Sequence, residues 1–460
     1  MSTDEQENQL AEINLTGCTT ITTHSLHTLL AKSPHLKTLR VKGVEAVTNA
    51  TFAILAESCP MLSVLDCSRC HRMDAEGLRL MLEYSRNRAP GYSPLKRLHA
   101  SGLRRANDLF MASLGKYAPM LEVLDLSASR PMHNTSLDAF VAVTDAEGCA
   151  SETVLLSSRD VGRDPGDPTK YRRRVTRLRH LSLSSCPLLS DIACSHLAHT
   201  VPRLELLELA GIGSDIRDEG LVRLLRTTPF IRKIDLEEAN EITDEVLTAL
   251  TPTPSIDARE QEEVQPGSRL EHITLSYAIQ LTNEAVLGLI RSCPKLVSID
   301  LDNTRVSGNI VKEFVRIHRQ RQTLDAQIVA IDARGIGEGT VKEIVGSSRT
   351  RNGWRSWEAR HLNYLDMRDD EELSVGQDEC DRRKVVVKTF YSWQTVDAVE
   401  AAREKRRKSR RKSIRSSSTG DDDCLNSRHA SRWWSPGSRR FGPTNPLLSN
   451  THERDGCVIM

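Results

Sequence analysis

The sequence has 460 residues, of which 38% are hydrophobic, 27% are charged and only 4% are aromatic. This apolar share is sufficient for a large core, and the low aromatic share indicates a core of Leu, Ile, Val and Ala. The formal net charge is +1 and no run of about 18 apolar residues occurs, which excludes a uniformly polyionic chain and predicts no membrane-spanning helix. Residues 1–8 are polar and acidic and do not resemble a secretory signal.

A short strand pattern, L-x-x-[LI]-x-[LVAC], recurs along most of the chain. The interval is 26 residues from Leu36 to Leu62 and again from Leu95 to Leu121. Alternating apolar residues predict a strand that turns one face inward. The copies of the pattern begin at Leu36, Leu62, Leu95, Leu121, Leu178, Leu204, Ile231, Leu270 and Leu296.

Each predicted strand is followed by a predicted helix. A residue that caps helix N-termini precedes apolar residues at helical spacing, and a proline near the next strand ends the helix. One such unit cannot bury its apolar face, but about ten stacked units can, so the pattern predicts a solenoid. The predicted caps are Thr22, Asp74, Ser190, Thr243 and Thr282, and the prolines are Pro34, Pro60, Pro119, Pro202, Pro229 and Pro294.

The units resemble the cysteine-containing leucine-rich repeats of F-box proteins and of the ribonuclease-inhibitor-like superfamily. The resemblance rests on the stretches 13–22 and 181–191 and on the phrases Ser-Cys-Pro at 58–60 and 292–294, and it covers residues 10–320. It implies an α/β horseshoe with a parallel concave sheet and convex helices. It also implies a substrate-receptor-like role in ubiquitin-dependent degradation. The first repeat begins by Ile13, so a ubiquitin-ligase adaptor is expected as a partner only if an F-box lies upstream.

Composition shifts divide the chain into four predicted regions. Polar insertions between repeats predict loops on one face of the array, and aromatic residues after the repeats predict a cap over its apolar end. The regions are a disordered N-terminus (1–12), a solenoid of about ten repeats (13–320), a degenerate last repeat with a C-terminal cap (321–397) and a disordered basic tail (398–460); the insertions lie near 84–94, 144–176 and 251–268.

The outward strand positions predict a protein-binding surface, because ligands of such solenoids usually lie on the concave face. Their charge changes from basic to acidic along the array, and we hypothesise that the acidic end binds a basic segment of a partner. The alternative is a solvated strand face without a ligand. The predicted binding residues are Arg40, Asp66, His99, Asp125, His180, Glu208, Asp235, Glu237, His272, Asp300 and Asp302.

No pattern predicts an enzyme, a metal site, a cofactor or a small-molecule substrate. Cys67-Ser-Arg-Cys70-His71 matches a haem-attachment pattern, but both cysteines fall on predicted core positions of the repeat. The glycines at 335–339 lack the lysine of a phosphate-binding loop, and a turn is the better interpretation.

The tail contains a run of nine basic residues and one acid. Such a run has three interpretations: a solvated helix face, a nuclear import signal, or a contact with lipid or nucleic acid. The basic residues are Arg403, Lys405, Arg406, Arg407, Lys408, Arg410, Arg411, Lys412 and Arg415.

The last four residues, Cys457-Val458-Ile459-Met460, match the C-a-a-X box that farnesyltransferase recognises, and they resemble the ends of Ras-type GTPases. A farnesyl group on Cys457 together with the basic run predicts attachment to an anionic membrane surface. Phosphorylation of Ser409 or Ser413 is predicted to weaken that attachment. The sequence therefore predicts a cytoplasmic, lipid-anchored repeat protein; the alternative is a nuclear scaffold or regulator unrelated to ubiquitin.

Overall fold

The computed structural model describes residues 8–84, 91–143, 152–212, 215–253, 264–337, 339–340, 343–344 and 385–389. The basic run, Ser409, Ser413 and the C-a-a-X box lie outside these residues, as do the aromatic residues of the predicted cap at 354–364.

Short strands alternate with helices along the described residues. The strands are β1 (Glu12–Asn14), β2 (Thr38–Arg40), β3 (Val64–Asp66), β4 (Arg97–His99), β5 (Val123–Asp125), β6 (Thr153–Ser157), β7 (Lys170–Arg174), β8 (His180–Ser182), β9 (Leu206–Glu208), β10 (Lys233–Asp235), β11 (His272–Thr274), β12 (Ser298–Asp300), β13 (Gln327–Ala330) and β14 (Val386–Thr389). The helices are α1 (Thr23–Ala31), α2 (Asn49–Ser58), α3 (Ala75–Tyr84), α4 (Asp108–Tyr117), α5 (Asn134–Val141), α6 (Asp191–Leu197), α7 (Asp218–Arg226), α8 (Asp244–Ala249), α9 (Asn283–Ser292) and α10 (Gly308–Arg321).

Twelve of the strands form one parallel sheet, in the order β1-β2-β3-β4-β5-β8-β9-β10-β11-β12-β13-β14. Each strand pairs with the strand of the next repeat, and each helix packs beside the next helix. Parallel pairing needs a crossover between strands, and the repeat helix provides it. The predicted fold class, a leucine-rich-repeat solenoid, is confirmed.

The second residue of every strand in this sheet points into the core. The register aligns these residues across all the repeats, so they form one continuous apolar ladder. Burial of each such side chain stabilises the fold by about 1.5–3 kcal/mol. The ladder consists of Ile13, Leu39, Leu65, Leu98, Leu124, Leu181, Leu207, Ile234, Ile273, Ile299, Ile328 and Val387, all buried.

Side-chain caps begin several helices where the sequence predicts them. Thr22 accepts the amide of Ser25 at 3.2 Å, Ser190 accepts that of Ile192 at 3.3 Å, and Asp74 accepts that of Glu76 at 3.1 Å. Each bond satisfies an amide that has no partner within the helix, which is worth about 0.5–2 kcal/mol. Thr243 and Thr282 cap α8 and α9 in the same way.

A second backbone ladder follows the strands and was not apparent from the sequence. Three residues beyond each strand of the early repeats, the chain adopts a positive φ, as at Gly43 and Arg69. The amide of that residue donates to a carbonyl of the next repeat, for example from Gly43 to Ser68 at 2.9 Å and from Arg69 to Ser101 at 2.8 Å. The loops that lead from strands to helices are therefore held in register as well; we call this side of the sheet the strand-exit edge.

Two segments differ from the sequence-based expectation. The region 144–176, predicted as a loop, contains the antiparallel hairpin β6–β7, and buried Arg173 of this hairpin bonds to Asp138 of α5 at 2.5 Å. At the N-terminus, β1 begins at Glu12 and the amide of Asn8 donates to the carbonyl of Lys32 at 2.7 Å. Glu12 pairs in register with Thr38, so the first repeat begins before Ile13, inside the region 1–12 that was predicted to be disordered.

Candidate docking face of the sheet

The side chains at the first and third positions of each strand lie on the face of the sheet opposite the ladder. We call it the open face; it is the surface predicted to be concave. Parallel strands place equivalent side chains about 4.8 Å apart. Of the predicted binding residues, His180 and His272 occupy first positions, and Glu237 and Asp302 follow their strands by two residues; Arg40, Asp66, His99, Asp125, Glu208, Asp235 and Asp300 occupy third positions.

Charged groups of the open face form pairs in the first repeats. Glu12 of β1 forms an ion pair with Arg40 of β2. The ring of His99 lies 3.7 Å from the carboxylate of Asp125, one strand away. Burial would raise the pKa of Asp125, but His99 and the Ser127 amide outweigh this effect and lower it.

Glu208 of β9 is also paired, although its sequence position grouped it with the acidic end. The ring of His180 lies 3.6 Å from its carboxylate, and the Lys233 ammonium lies 2.9 Å away. These two neighbours lower the pKa of Glu208 to about 2. Because both partners belong to flanking strands, only the sheet register shows that Glu208 is compensated.

Asp235, Glu237, Asp300 and Asp302 form the remaining acidic group, which we call the acidic quartet. None of the four has an ion-pair partner among the residues that the structure describes. Their known partners are neutral: Asp300 accepts the Ser276 hydroxyl at 2.8 Å, and Asp302 accepts a backbone amide at 2.6 Å.

The acidic quartet is held with its charges close together. Burial raises the pKa of Asp235, and Glu208 and Asp300 raise it further. Burial likewise raises the pKa of Glu237 and of Asp302, and neighbouring carboxylates add to both shifts. A carboxylate next to other carboxylates is harder to ionise, so their repulsion adds to the effect of burial. At Asp235 the Lys233 ammonium partly opposes the shift without forming an ion pair with this carboxylate.

The open-face residues of β11, between the acidic repeats of the quartet, are polar and uncharged. Thr274 and Ser276 lie between the two acidic repeats, and burial lowers the pKa of His272, which stays neutral near pH 7. Within the described part of the chain, no group of three or more His, Cys, Asp or Glu side chains is arranged to hold a metal ion. A site of this kind can attract lysine or arginine side chains by Coulomb forces and hydrogen bonds.

The cysteines of the rejected haem pattern lie in the core, as predicted. Cys67 and Cys70 are buried, and the Cys70 thiol donates to the carbonyl of Val41 at 3.0 Å. Burial raises the pKa of both thiols, so they stay protonated at neutral pH. Gly335 forms an isolated parallel bridge with Ser307, and its carbonyl accepts the amide of Gly308 at 3.2 Å.

The sequence-based prediction missed a cluster of basic residues at the strand-exit edge. They follow β3, β4 and β5 and are all exposed. Counting offsets from the end of each strand would have revealed them, because they occupy equivalent loop positions in three neighbouring repeats. They are Arg69, His71, Arg72, Arg104, Arg105 and Arg130.

No protein-family model matches the chain. Among solved structures, the chain is similar to one in the crystal structure of the Rad7 and Elc1 complex in yeast, with a TM-score of 0.46 and 17% sequence identity. The similarity covers 73% of this chain and 79% of that chain. In the described residues, no helix has both the length and the apolar character needed to cross a membrane.

Proposed function

We propose that the protein is a non-catalytic binding module whose open face receives a basic, extended segment of a partner protein at the acidic quartet. The observation that carries this proposal is the absence of an ion-pair partner, within the described residues, at Asp235, Glu237, Asp300 and Asp302, whose carboxylates act on one another. Elsewhere on the same face, Glu12, Asp125 and Glu208 have cationic or histidine partners, whereas Asp66 accepts the Ser68 amide and forms no ion pair in the described residues.

The geometry suits a segment with several basic side chains. Asp235 and Asp300 are two strands apart in register, a separation of about 10 Å. Alternate side chains of an extended segment are about 7 Å apart, so two or three lysines or arginines can reach the quartet together. Their charges would relieve the repulsion among the carboxylates, which makes binding favourable and sensitive to salt.

The test measures binding of a fluorescent peptide with alternating lysine and glycine residues to the full chain. The double variant D235N/D300N should weaken binding about tenfold or more and reduce its salt dependence. The control variant E245Q/E284Q removes two exposed carboxylates of α8 and α9 and should leave binding unchanged.

The chain's own basic run has the chemistry of this ligand, so the assay is repeated with its basic residues replaced by Gln. Equal affinity of D235N/D300N and the wild type in this background would contradict the proposal. Equal weakening in D235N/D300N and E245Q/E284Q would also contradict it, because it would indicate a general charge effect.

We further propose that Cys457 carries a farnesyl group and anchors the protein at the cytoplasmic side of a membrane. Farnesyltransferase would form a thioether between the Cys457 sulfur and farnesyl diphosphate, with diphosphate as the leaving group. The support is the motif Cys457–Met460 and the basic run at 403–415. A single lipid binds membranes weakly, and each basic residue near an anionic surface adds about 1 kcal/mol.

Fractionation of cells that express the full chain tests the anchor. C457S should move the protein to the soluble fraction, whereas C424S, a change of another tail cysteine, should not. A C457S protein that stays on membranes would refute the anchor. For the predicted phosphorylation switch, S409D/S413D should release more protein than S435D/S449D, which adds the same charge farther from the basic run.

A role as a substrate receptor in ubiquitin-dependent degradation is proposed from the sequence resemblance of the repeats. Co-purification of the product of the longest transcript with a ubiquitin-ligase adaptor tests it. Without such an adaptor, nuclear accumulation that depends on the basic run would favour the alternative, a scaffold or regulator unrelated to ubiquitin.

A further inference from the structure

The basic cluster at the strand-exit edge lies apart from the acidic quartet, on the loops that follow β3, β4 and β5. We call it the arginine edge. Three consecutive repeats contribute to it, and all of its side chains are exposed. It comprises Arg69, His71, Arg72, Arg104, Arg105 and Arg130.

The backbone ladder brings these side chains together. The amide of Arg69 donates to Ser101 at 2.8 Å, and that of Gly102 donates to Ser127 at 2.7 Å, so the three loops run side by side. Arg72 and Arg105 occupy equivalent positions in adjacent loops, as do His71, Arg104 and Arg130. Since adjacent repeats are about 5 Å apart at the sheet, these side chains begin on neighbouring loops, within reach of one ligand.

Contacts between neighbouring loops confirm this placement. The guanidinium of Arg105 lies 3.5 Å from the carboxylate of Asp74 in the preceding repeat, and Arg104 donates to the carbonyl of Met73 at 3.4 Å. Asp74 also accepts the side-chain amide of Asn49 at 2.8 Å and the backbone amide of Glu76 at 3.1 Å. Asp74 therefore has several partners, and Glu76 lies within electrostatic reach of Arg105 as well; together they neutralise only part of the cluster.

Arg69, Arg72 and Arg130 form no ion pair with any residue in the described ranges. At the position equivalent to His71, the preceding repeat has Glu45, which marks the boundary of the cluster. Exposed like charges at this density repel one another, and an anion placed among them would remove that repulsion.

The chemistry of the arginine edge fits a phosphate group. A guanidinium donates two parallel hydrogen bonds to phosphate oxygens, and arginines from neighbouring loops can share one dianion. The partly exposed Ser101 adjoins the loops, and its hydroxyl is a further donor, whereas the Ser127 hydroxyl is hydrogen-bonded to that of Ser182 at 2.7 Å.

Acidic residues elsewhere on the strand-exit edge argue against a flat anionic surface as the ligand. After β10, the positions equivalent to Arg69 and Arg72 are occupied by Glu238 and Glu241, and both are exposed. A lipid bilayer lying along this edge would be repelled at these carboxylates. A short segment that contacts only the loops after β3, β4 and β5 would not be.

We infer that the arginine edge is a docking surface for a phosphorylated segment of a partner protein. Recognition consists of charge-assisted hydrogen bonds from arginines of neighbouring repeats to one or two phosphoryl groups. This inference does not depend on the acidic quartet, because the two surfaces belong to different repeats.

Fluorescence anisotropy tests the inference with a labelled glycine-rich peptide that carries two phosphoserines. Its unphosphorylated form and a form with two glutamates in place of the phosphoserines are the comparison peptides. The protein is the full, unprenylated chain, both as wild type and with the basic residues of the tail run replaced by Gln, so that the run does not mask the edge. Vesicles of phosphatidylcholine with phosphatidylserine are the lipid probe.

The triple variant R69Q/R72Q/R130Q should bind the phosphopeptide about tenfold or more weakly than its parent. The matched control R159Q/K170Q/R226Q removes three exposed basic residues elsewhere on the solenoid and should bind as the parent does. Equal circular dichroism and thermal melting of the two triple variants would show that folding is unchanged.

Four outcomes in the tail-neutralised background would overturn the inference. The first is equal affinity for the phosphorylated and unphosphorylated peptides. The second is equal loss of binding in the triple variant and its control. The third is loss of vesicle binding, without loss of phosphopeptide binding, in R69Q/R72Q/R130Q, which would make the arginine edge a lipid contact. Tight binding of the glutamate peptide with the same dependence on the arginines would assign the edge to acidic rather than phosphorylated segments.

Discussion

The two halves of the open face use the same backbone and differ in how their charges are compensated. From β1 to β9, Glu12, Asp125 and Glu208 each have a basic or histidine partner on an adjacent strand, and Asp66 is the exception among the predicted binding residues. From β10 to β12 and just beyond, none of the four carboxylates of the acidic quartet has an ion-pair partner in the described residues, although Lys233 acts on Asp235 at longer range. The apolar ladder is uniform across both halves, so folding does not require the difference.

This contrast distinguishes the residues that stabilise the fold from those that contribute little to stability and are available for binding. Ion pairs on an exposed strand face contribute about 0.2–1 kcal/mol each, whereas a buried ladder residue contributes about 1.5–3 kcal/mol. Uncompensated carboxylates therefore cost the solenoid little. Their persistence on one half of the face is consistent with a role for that half in binding.

The largest expected effect on stability is the difference between substituting an inward-facing and an outward-facing residue of the same strand. Ile234 is fully buried between Lys233 and Asp235. I234A should destabilise the protein by about 2–5 kcal/mol, because it removes a buried side chain and leaves a cavity. D235A should change stability by less than about 1 kcal/mol. Thermal and urea unfolding measure both, and comparable destabilisation by the two changes would invalidate this division.

A smaller effect on stability is expected at β9 and β10, where the two halves of the open face meet. K233Q removes the ammonium group 2.9 Å from Glu208 and should destabilise the protein by about 0.2–1 kcal/mol at pH 7. The folded-state pKa of Glu208, about 2, lies below its unfolded value, so this stabilisation is present above the unfolded pKa and is lost as pH falls through the folded pKa.

In K233Q the pKa of Glu208 should rise from about 2, which titration of the side-chain carboxyl signal by NMR measures. K295Q is the control, because Lys295 is exposed just before β12 and forms no ion pair in the described residues. If the pKa of Glu208 is the same in K233Q and in the wild type, Lys233 is not its partner.

The smallest expected effect on stability comes from removing one negative charge, and its sign differs between the two halves of the open face. D300N keeps an oxygen that can accept the Ser276 hydroxyl but removes one charge from the acidic quartet, so it should stabilise the protein by a few tenths of a kcal/mol at pH 7. D125N removes the charge that His99 faces and should be destabilising or neutral.

The pH dependence of D300N follows from the pKa shifts of its neighbours. The folded pKa values of Asp235, Glu237 and Asp302 are raised, so the repulsion is present at neutral pH and disappears as pH falls below the unfolded values, about 4. The difference in melting temperature between D300N and the wild type should shrink from pH 7 to pH 4. A difference that is constant over this range would show that repulsion is not its cause.

The repeating units of the fold could be predicted from the sequence because each one carries its own local signals. The alternation around Leu181, the cap at Ser190 and the proline at Pro202 lie within one repeat and act over a few residues. The core cysteines Cys67 and Cys70 could be assigned by the same register, and both are buried as predicted.

The charge partners could not be predicted in this way, because they come from different repeats. Glu208 meets Lys233 one strand away, and Asp125 of β5 lies beside Ser182 of β8 because the hairpin β6–β7 is excluded from the main sheet. The arginine edge likewise depends on which loops run side by side. Its basic residues are separated by up to about two repeats in the chain.

The sequence by itself determined the solenoid, because burial of apolar side chains depends on their spacing along the chain and every repeat has that spacing. Only the tertiary structure decided which charged side chains form ion pairs and which lie together on neighbouring loops. The physical reason is distance: Coulomb interactions and hydrogen bonds depend on separations of a few ångströms, and those are fixed by strand register rather than by position in the chain.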